Sequence, residues 1–112
     1  MSPKVNKKQK LKNAKKRFVI NGPTGRWRAD EKAAVVTFVI KQGTNGATAV
    51  GIGETHRLNR PANGRSFRWS AAVKKVSGPA FVAGPADVQA WASIAESDGP
   101  YLYGWNVPVT LS

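Results

Sequence analysis

The sequence predicts an all-β protein: a small antiparallel β-sandwich or barrel of five to six strands, preceded by a disordered basic N-terminal arm. Three observations lead there. Runs rich in β-branched and aromatic residues recur from residue 33 onward, separated by Gly, Pro and Asn turn signals. Several of these runs alternate at period two, and no helical periodicity is long enough to compete. Charge is also lopsided: residues 1–32 hold eleven Lys/Arg against Asp30 and Glu31, so three quarters of the net +12 lies in the first third of the chain. That asymmetry marks a basic tail on an ordinary domain.

These boundaries divide the 112 residues into a lysine-rich flexible arm (1–17), a linker with a short strand and turn (18–32) and the antiparallel β domain (33–112). After Met1 and Pro3 the arm has only Val5, Leu11 and Ala14 among Lys, Arg, Asn, Gln and Ser, too little apolar surface to offset its ordering entropy. "RFVING" followed by "PTGR" reads as a short strand ended by a turn, since Asn-Gly and Pro-x-Gly tolerate turn backbone angles. About eighty residues then remain for a core, and domains of roughly 60 residues fold alone.

Within the domain, "AAVVTFVIK" (33–41) is apolar on both faces, Val36/Phe38/Ile40 on one and Val35/Thr37/Val39 on the other, which predicts a central strand. "GATAVGIGETH" (46–56) follows at hairpin distance. Its Ala47/Ala49/Gly51/Gly53 face is bare, so something large is expected to pack onto it. "SFRWSAAVKKV" (66–76) alternates Phe67/Trp69/Ala71/Val73 against Ser66/Arg68/Ser70/Lys74, a half-buried antiparallel strand. "DVQAWASIAE" (87–96) suits a helix by its alanines, but its period-two pattern, the Pro-rich loop before it and "SDGP" after it favour a strand. In "YLYGWNVPVTL", Tyr101, Tyr103, Trp105, Val107 and Val109 share a face. Pro108 lacks the N–H a ladder needs, so this strand, or at least its end, belongs at a sheet edge.

Little in the chain is equipped for chemistry. It has no cysteine and one histidine, His56, which shares a strand face with Glu54 but has no third group to orient the pair. "GIG" at 51–53 lacks the third glycine and the helix of a dinucleotide turn. Neither a catalytic function nor a cofactor or metal is expected. Nothing approaches the twenty apolar residues that span a bilayer, and the basic N-terminus lacks the apolar stretch of a secretory signal. The expected location is the cytoplasm or the interior of a virion or nucleoprotein particle.

Binding is where the composition points. Lys4, Lys7, Lys8, Lys10, Lys12, Lys15, Lys16 and Arg17 lie within seventeen residues that contain no acid. The natural counter-charge is nucleic acid, RNA or DNA, whose condensed counterions are released as cations replace them. Lysine supplies positioning charge rather than base readout, so binding is expected to be largely sequence-independent. Anionic membrane is a poorer match because the arm lacks apolar anchors. A second contact is expected from the loop "HRLNRPANGRSFRW", which places Arg57, Arg60, Arg65 and Arg68 within twelve residues at one end of the sheet. A basic arm ahead of an all-β domain is similar, in architecture alone, to the general plan of small viral coat proteins. The expectation is a non-enzymatic structural subunit of a nucleoprotein or virion-like assembly, with self-association through the aromatic edge strand. The competing reading is a β-sandwich recognition module that binds a glycan or protein through Trp91, Tyr101, Tyr103 and Trp105, the arm serving solubility or targeting.

Overall fold

A computed structural model describes residues 1–11 and 18–112. Its eight strands are β1 (Lys8–Gln9), β2 (Phe18–Pro23), β3 (Glu31–Thr44), β4 (Ala47–Glu54), β5 (Leu58–Asn59), β6 (Arg68–Ser77), β7 (Gly84–Glu96) and β8 (Gly99–Leu111). They form one strongly curved, nearly closed sheet in the order β1-β8-β7-β3-β4-β6-β2, with β5 paired onto β3. All-β architecture is as expected; the number of strands is eight rather than five to six. The two additions, β1 and β5, are two residues long. Such short strands carry no periodicity and exist only because a neighbouring strand pairs with them.

Strand β3 is central, with β4 on one side and β7 on the other. Val36, Phe38 and Ile40 are fully buried, while Val35 and Val39 lie half-buried on the outer face. Asn45 and Gly46, both at positive φ (49° and 80°), join β3 to β4 in the two-residue turn that Asn-Gly favours. The bare face of β4 is indeed where large side chains pack. A Cβ on Gly53 would lie 2.3 Å from Phe38 Cζ, and one on Gly51 would lie 2.6 Å from a Val73 methyl and 3.2 Å from the Phe81 ring. The stretch 87–96 is a strand, β7, whose Val88, Ala90, Ala92 and Ile94 are buried.

Buried polar side chains hold the connections. Gln42 Nε2 donates to Val82 O (2.8 Å) and Pro85 O (3.2 Å), and Gln42 Oε1 accepts from Val82 N (2.9 Å). This fastens the loop before β7, from which Phe81 enters the core. Thr55 Oγ1 accepts from Val36 N, and Thr24 Oγ1 accepts from Phe67 N. Trp27, in the segment after β2, is buried and stacks on Phe67.

Residues 1–11 are part of this sheet rather than a free tail. Lys4 N donates to Pro23 O, Asn6 N to Asn21 O and Gly25 N to Ser2 O, so the first six residues run antiparallel along β2. The chain then changes partner. Thr110 N donates to Lys7 O, Ser112 N to Gln9 O and Leu11 N to Ser112 O, which makes β1 a parallel neighbour of the end of β8. Met1, Pro3, Val5 and Gln9 are buried, and the Met1 ammonium pairs with the buried Glu31 carboxylate. The remainder of the expected flexible arm, residues 12–17, lies outside the described residues.

The linker is likewise structural. Phe18 and Ile20 are core residues, and β2 pairs with β6 from Phe18↔Val73 to Pro23↔Arg68. Asn21-Gly22, expected as a turn, sits inside β2. Its glycine is required because a Cβ there would lie 1.7 Å from Lys4 O. The core therefore draws on residues from Met1 onward and is not confined to 33–112.

Candidate nucleic-acid interface

Burial of Val5 and Gln9 sets the outer face of the N-terminal segment, with Lys7 exposed at the bend between them. Along the N-terminal segment Val5 and Gln9 point inward, which turns Asn6, Lys8 and Lys10 outward. Across the seam, the β2–β6 register places Val19, Asn21, Arg68 and Ser70 on the same outer face. Between β1 and β2 these side chains, Ser70 excepted, enclose with Phe18 an open groove of about 640 Å³. Lys8, Lys10 and Arg68 supply its charge, Asn6 and Asn21 its polar wall, and Phe18 and Val19 its apolar floor.

Side chains stitch the seam beneath this groove. Asn6 Nδ2 donates to Asn21 Oδ1 (2.6 Å). On the inner side, Gln9 Nε2 donates to Asn21 O (3.0 Å) and Asn6 O (2.6 Å), while Gln9 Oε1 accepts from Asn21 N (3.2 Å). Gln9 thus presents to Asn21 the donor and acceptor that a paired strand would present.

The groove is electrostatically one-sided. No Asp or Glu occurs before Asp30 in the sequence. Among the described residues, the ion pairs are Met1–Glu31 and an exposed Arg28–Asp30, neither of which involves a groove cation. Asp30 raises the Arg28 pKa further above its ordinary value, with Glu96 contributing. Burial, then Glu31 and Glu96, push the Tyr101 phenol up.

Lys8, Lys10 and Arg68, drawn from two regions of the sequence, therefore meet. Lys4 and Lys7 are exposed on the same N-terminal segment; Lys12, Lys15, Lys16 and Arg17 lie outside the described residues. The other loop arginines do not join the groove. Arg57 Nε donates to Asn59 Oδ1, and its side chain lines a separate groove of about 220 Å³ with Val35, Ser93 and Pro100. Arg60 Nε donates to Arg28 O, so that guanidinium fastens the loop to the segment before β3. Arg65 is exposed beside the Asn63-Gly64 turn, where its backbone N–H donates to Asn63 Oδ1. The loop passes β3 through β5 before it returns to β6, which separates arginines that are close in sequence.

Asn6, Asn21, Phe18 and Val19 went unsingled in the sequence. For Asn6 the signal is the apolar alternation Met1, Pro3, Val5, which sets the inward face of a strand inside the basic run. Glu54 and His56 are both exposed and flank buried Thr55. The four aromatics of the competing reading do not form one platform. Trp91 lies on the outer face, opposite Gly104, whereas Tyr103 and Trp105 stack at 5.2 Å on the other face of β8. No protein-family model and no curated protein matches the chain.

Proposed function

We propose that this protein binds nucleic acid largely without regard to sequence and serves, without catalysing a reaction, as a structural subunit of a nucleoprotein or virion-like assembly. The observation that carries the reading is the acid-free groove that brings Lys8 and Lys10 together with Arg68. The chain between its two sides, from Leu11 to Phe18, adds Lys12, Lys15, Lys16 and Arg17 to the same electropositive sequence. A phosphate backbone fits three cations arranged along an open channel, with Asn6 and Asn21 as neutral hydrogen-bonding partners for phosphate or sugar oxygens. Arg68 is suited to a two-pronged phosphate contact and the lysines to point-charge neutralisation.

The test is the salt dependence of binding to unrelated RNA and DNA fragments, measured by fluorescence anisotropy. Deletion of residues 1–17 is unsuitable because it removes Met1, Pro3, Val5 and Gln9 from the core. Substitutions of exposed groove side chains avoid that problem. An interface engaging about six phosphates gives a log–log slope near −5 on duplex DNA, and less on single strands. Lys8→Gln, Lys10→Gln and Arg68→Gln combined should reduce the slope by roughly 2 to 3 and weaken all fragments alike. Absence of binding by the unaltered chain at low salt, or a slope unchanged in the triple variant, overturns the reading.

A further inference from the structure

The open flank of β8 has a symmetry of its own. Strand β8 pairs with β7 along its whole length, from Gly99↔Glu96 to Leu111↔Gly84. On its other side, among the described residues, it pairs at Thr110, Leu111 and Ser112, with β1 and Leu11. Because β1 runs parallel to β8 and the residues before it pair along β2 instead, the stretch 99–107 has no second neighbour among the described residues. Tyr101, Leu102 and Tyr103, on that stretch, are 37%, 75% and 40% exposed. A long, uncharged, apolar edge of this kind is an invitation to pair with another strand.

The direction of each backbone group follows from the contacts at the end of the strand. Thr110 and Ser112 direct their N–H groups to β1. Hydrogen-bonding direction alternates along a strand, so Leu102, Gly104 and Asn106 point theirs to the open side, while the odd-numbered residues bond to β7. Pro100 and Pro108 belong to the outward set, the set in which the missing N–H leaves the β7 ladder intact. They stand four residues on either side of Gly104.

We infer that β8 pairs antiparallel with β8 of a second copy of this chain, about a two-fold axis at Gly104. This register is the one that sets all three outward donors in reciprocal pairs: Leu102 with Asn106 of the second copy, Gly104 with Gly104, and Asn106 with Leu102. Pro100 then falls opposite Pro108, so the residues without donors face each other and end the ladder. The non-hydrogen-bonded positions, where side chains come closest, place Tyr103 opposite Trp105 and Tyr101 opposite Val107. Tyr103 and Trp105 already stack within one chain, so each copy extends the other's aromatic row. The two curved sheets become one continuous sheet. The inference rests on the assembly part of the proposed function and names its contact, but it does not require nucleic acid.

The experiment is sedimentation of the full chain, free of nucleic acid, over a range of concentrations. The expected result is a concentration-dependent dimer that Leu102→Pro converts to monomer. That N–H has no partner among the described residues, so the variant should keep the far-UV circular dichroism and melting temperature of the monomer. The register is read by cross-linking, since the chain has no cysteine of its own. Facing residues in such pairs have Cα atoms about 5.5 Å apart, within disulfide range. Leu102→Cys mixed with Asn106→Cys should form a covalent dimer under mild oxidation, and neither alone should do so efficiently. A chain that stays monomeric throughout, a dimer indifferent to Leu102→Pro, or a mixture that forms no more disulfide than its separate components overturns the inference. Loss of nucleic-acid binding with dimerisation intact counts only against the proposed function.

Discussion

At the scale of single residues, the fold depends on side chains that complete backbone pairing. Gln9 does so for Asn21 and Gln42 for Val82, each with its amide donating and accepting at the same partner residue or beside it. Both are buried. Removal of a side chain that satisfies buried backbone groups leaves those groups without water or protein partners, at about 1–3 kcal/mol. Gln9→Ala should therefore lower stability by about 1–3 kcal/mol, read as a reduced urea midpoint with an unchanged m-value. The same change at exposed Lys10 should fall within about 0.5 kcal/mol. Neither glutamine is legible as a core residue from its neighbours. Gln9 stands among Lys7, Lys8 and Lys10, a composition that reads as solvated, and only a partner strand distant in sequence gives its amide something to bond.

At the scale of elements, β4 shows a local pattern predicting a tertiary contact. Alternation of Gly51 and Gly53 with larger residues implies that neighbours press onto one face, and Phe38, Val73 and Phe81 do. Gly53→Ala should destabilise by about 1–3 kcal/mol, the usual penalty of overpacking. Gly43→Ala, whose Cβ meets nothing within 4 Å, should stay within about 0.5 kcal/mol. Paired thermal melts of the two variants check this. Phe81 was not foreseeable in the same way. It lies in a Gly/Pro-rich connection with no alternation, and it is buried because Gln42 holds that connection against β3. Arg57 and Arg68 diverge for a related reason, since β5 carries one end of their loop onto β3.

At the scale of the whole molecule, the N-terminal segment acts as the closing strip of the barrel. The sheet is elongated, with a radius of gyration of 14.8 Å where a compact chain of this length has about 13 Å. Among the described residues, it is residues 1–11 that hydrogen-bond both to β2, at one end of the strand order, and to β8, near the other. Removal of those residues should expose Ile20, Trp27 and Leu111 and replace the cooperative melt with a broad one that binds a hydrophobic dye. The triple groove variant, altered only at exposed side chains, should melt as the unaltered chain does. One segment thus closes the core on its inner face and carries Lys8 and Lys10 on its outer face, so the proposed binding surface is as rigid as the seam beneath it.

The class of the fold, the centrality of β3, the turn at Asn45-Gly46, the bare face of β4 and the concentration of positive charge near the N-terminus are all written in short stretches of the chain. Each is a local pattern, expressed in periodicity, turn chemistry or composition. Tertiary structure decided where that charge is held. The seven strands from β2 to β8 curve until residues 1–11 bridge β2 and β8, and Met1, Pro3 and Val5 are the apolar residues buried there. A lysine run without such strands to bridge has no reason to order; beside them, burial of its alternate residues gives the run an inner face, and the lysines become the rim of a groove.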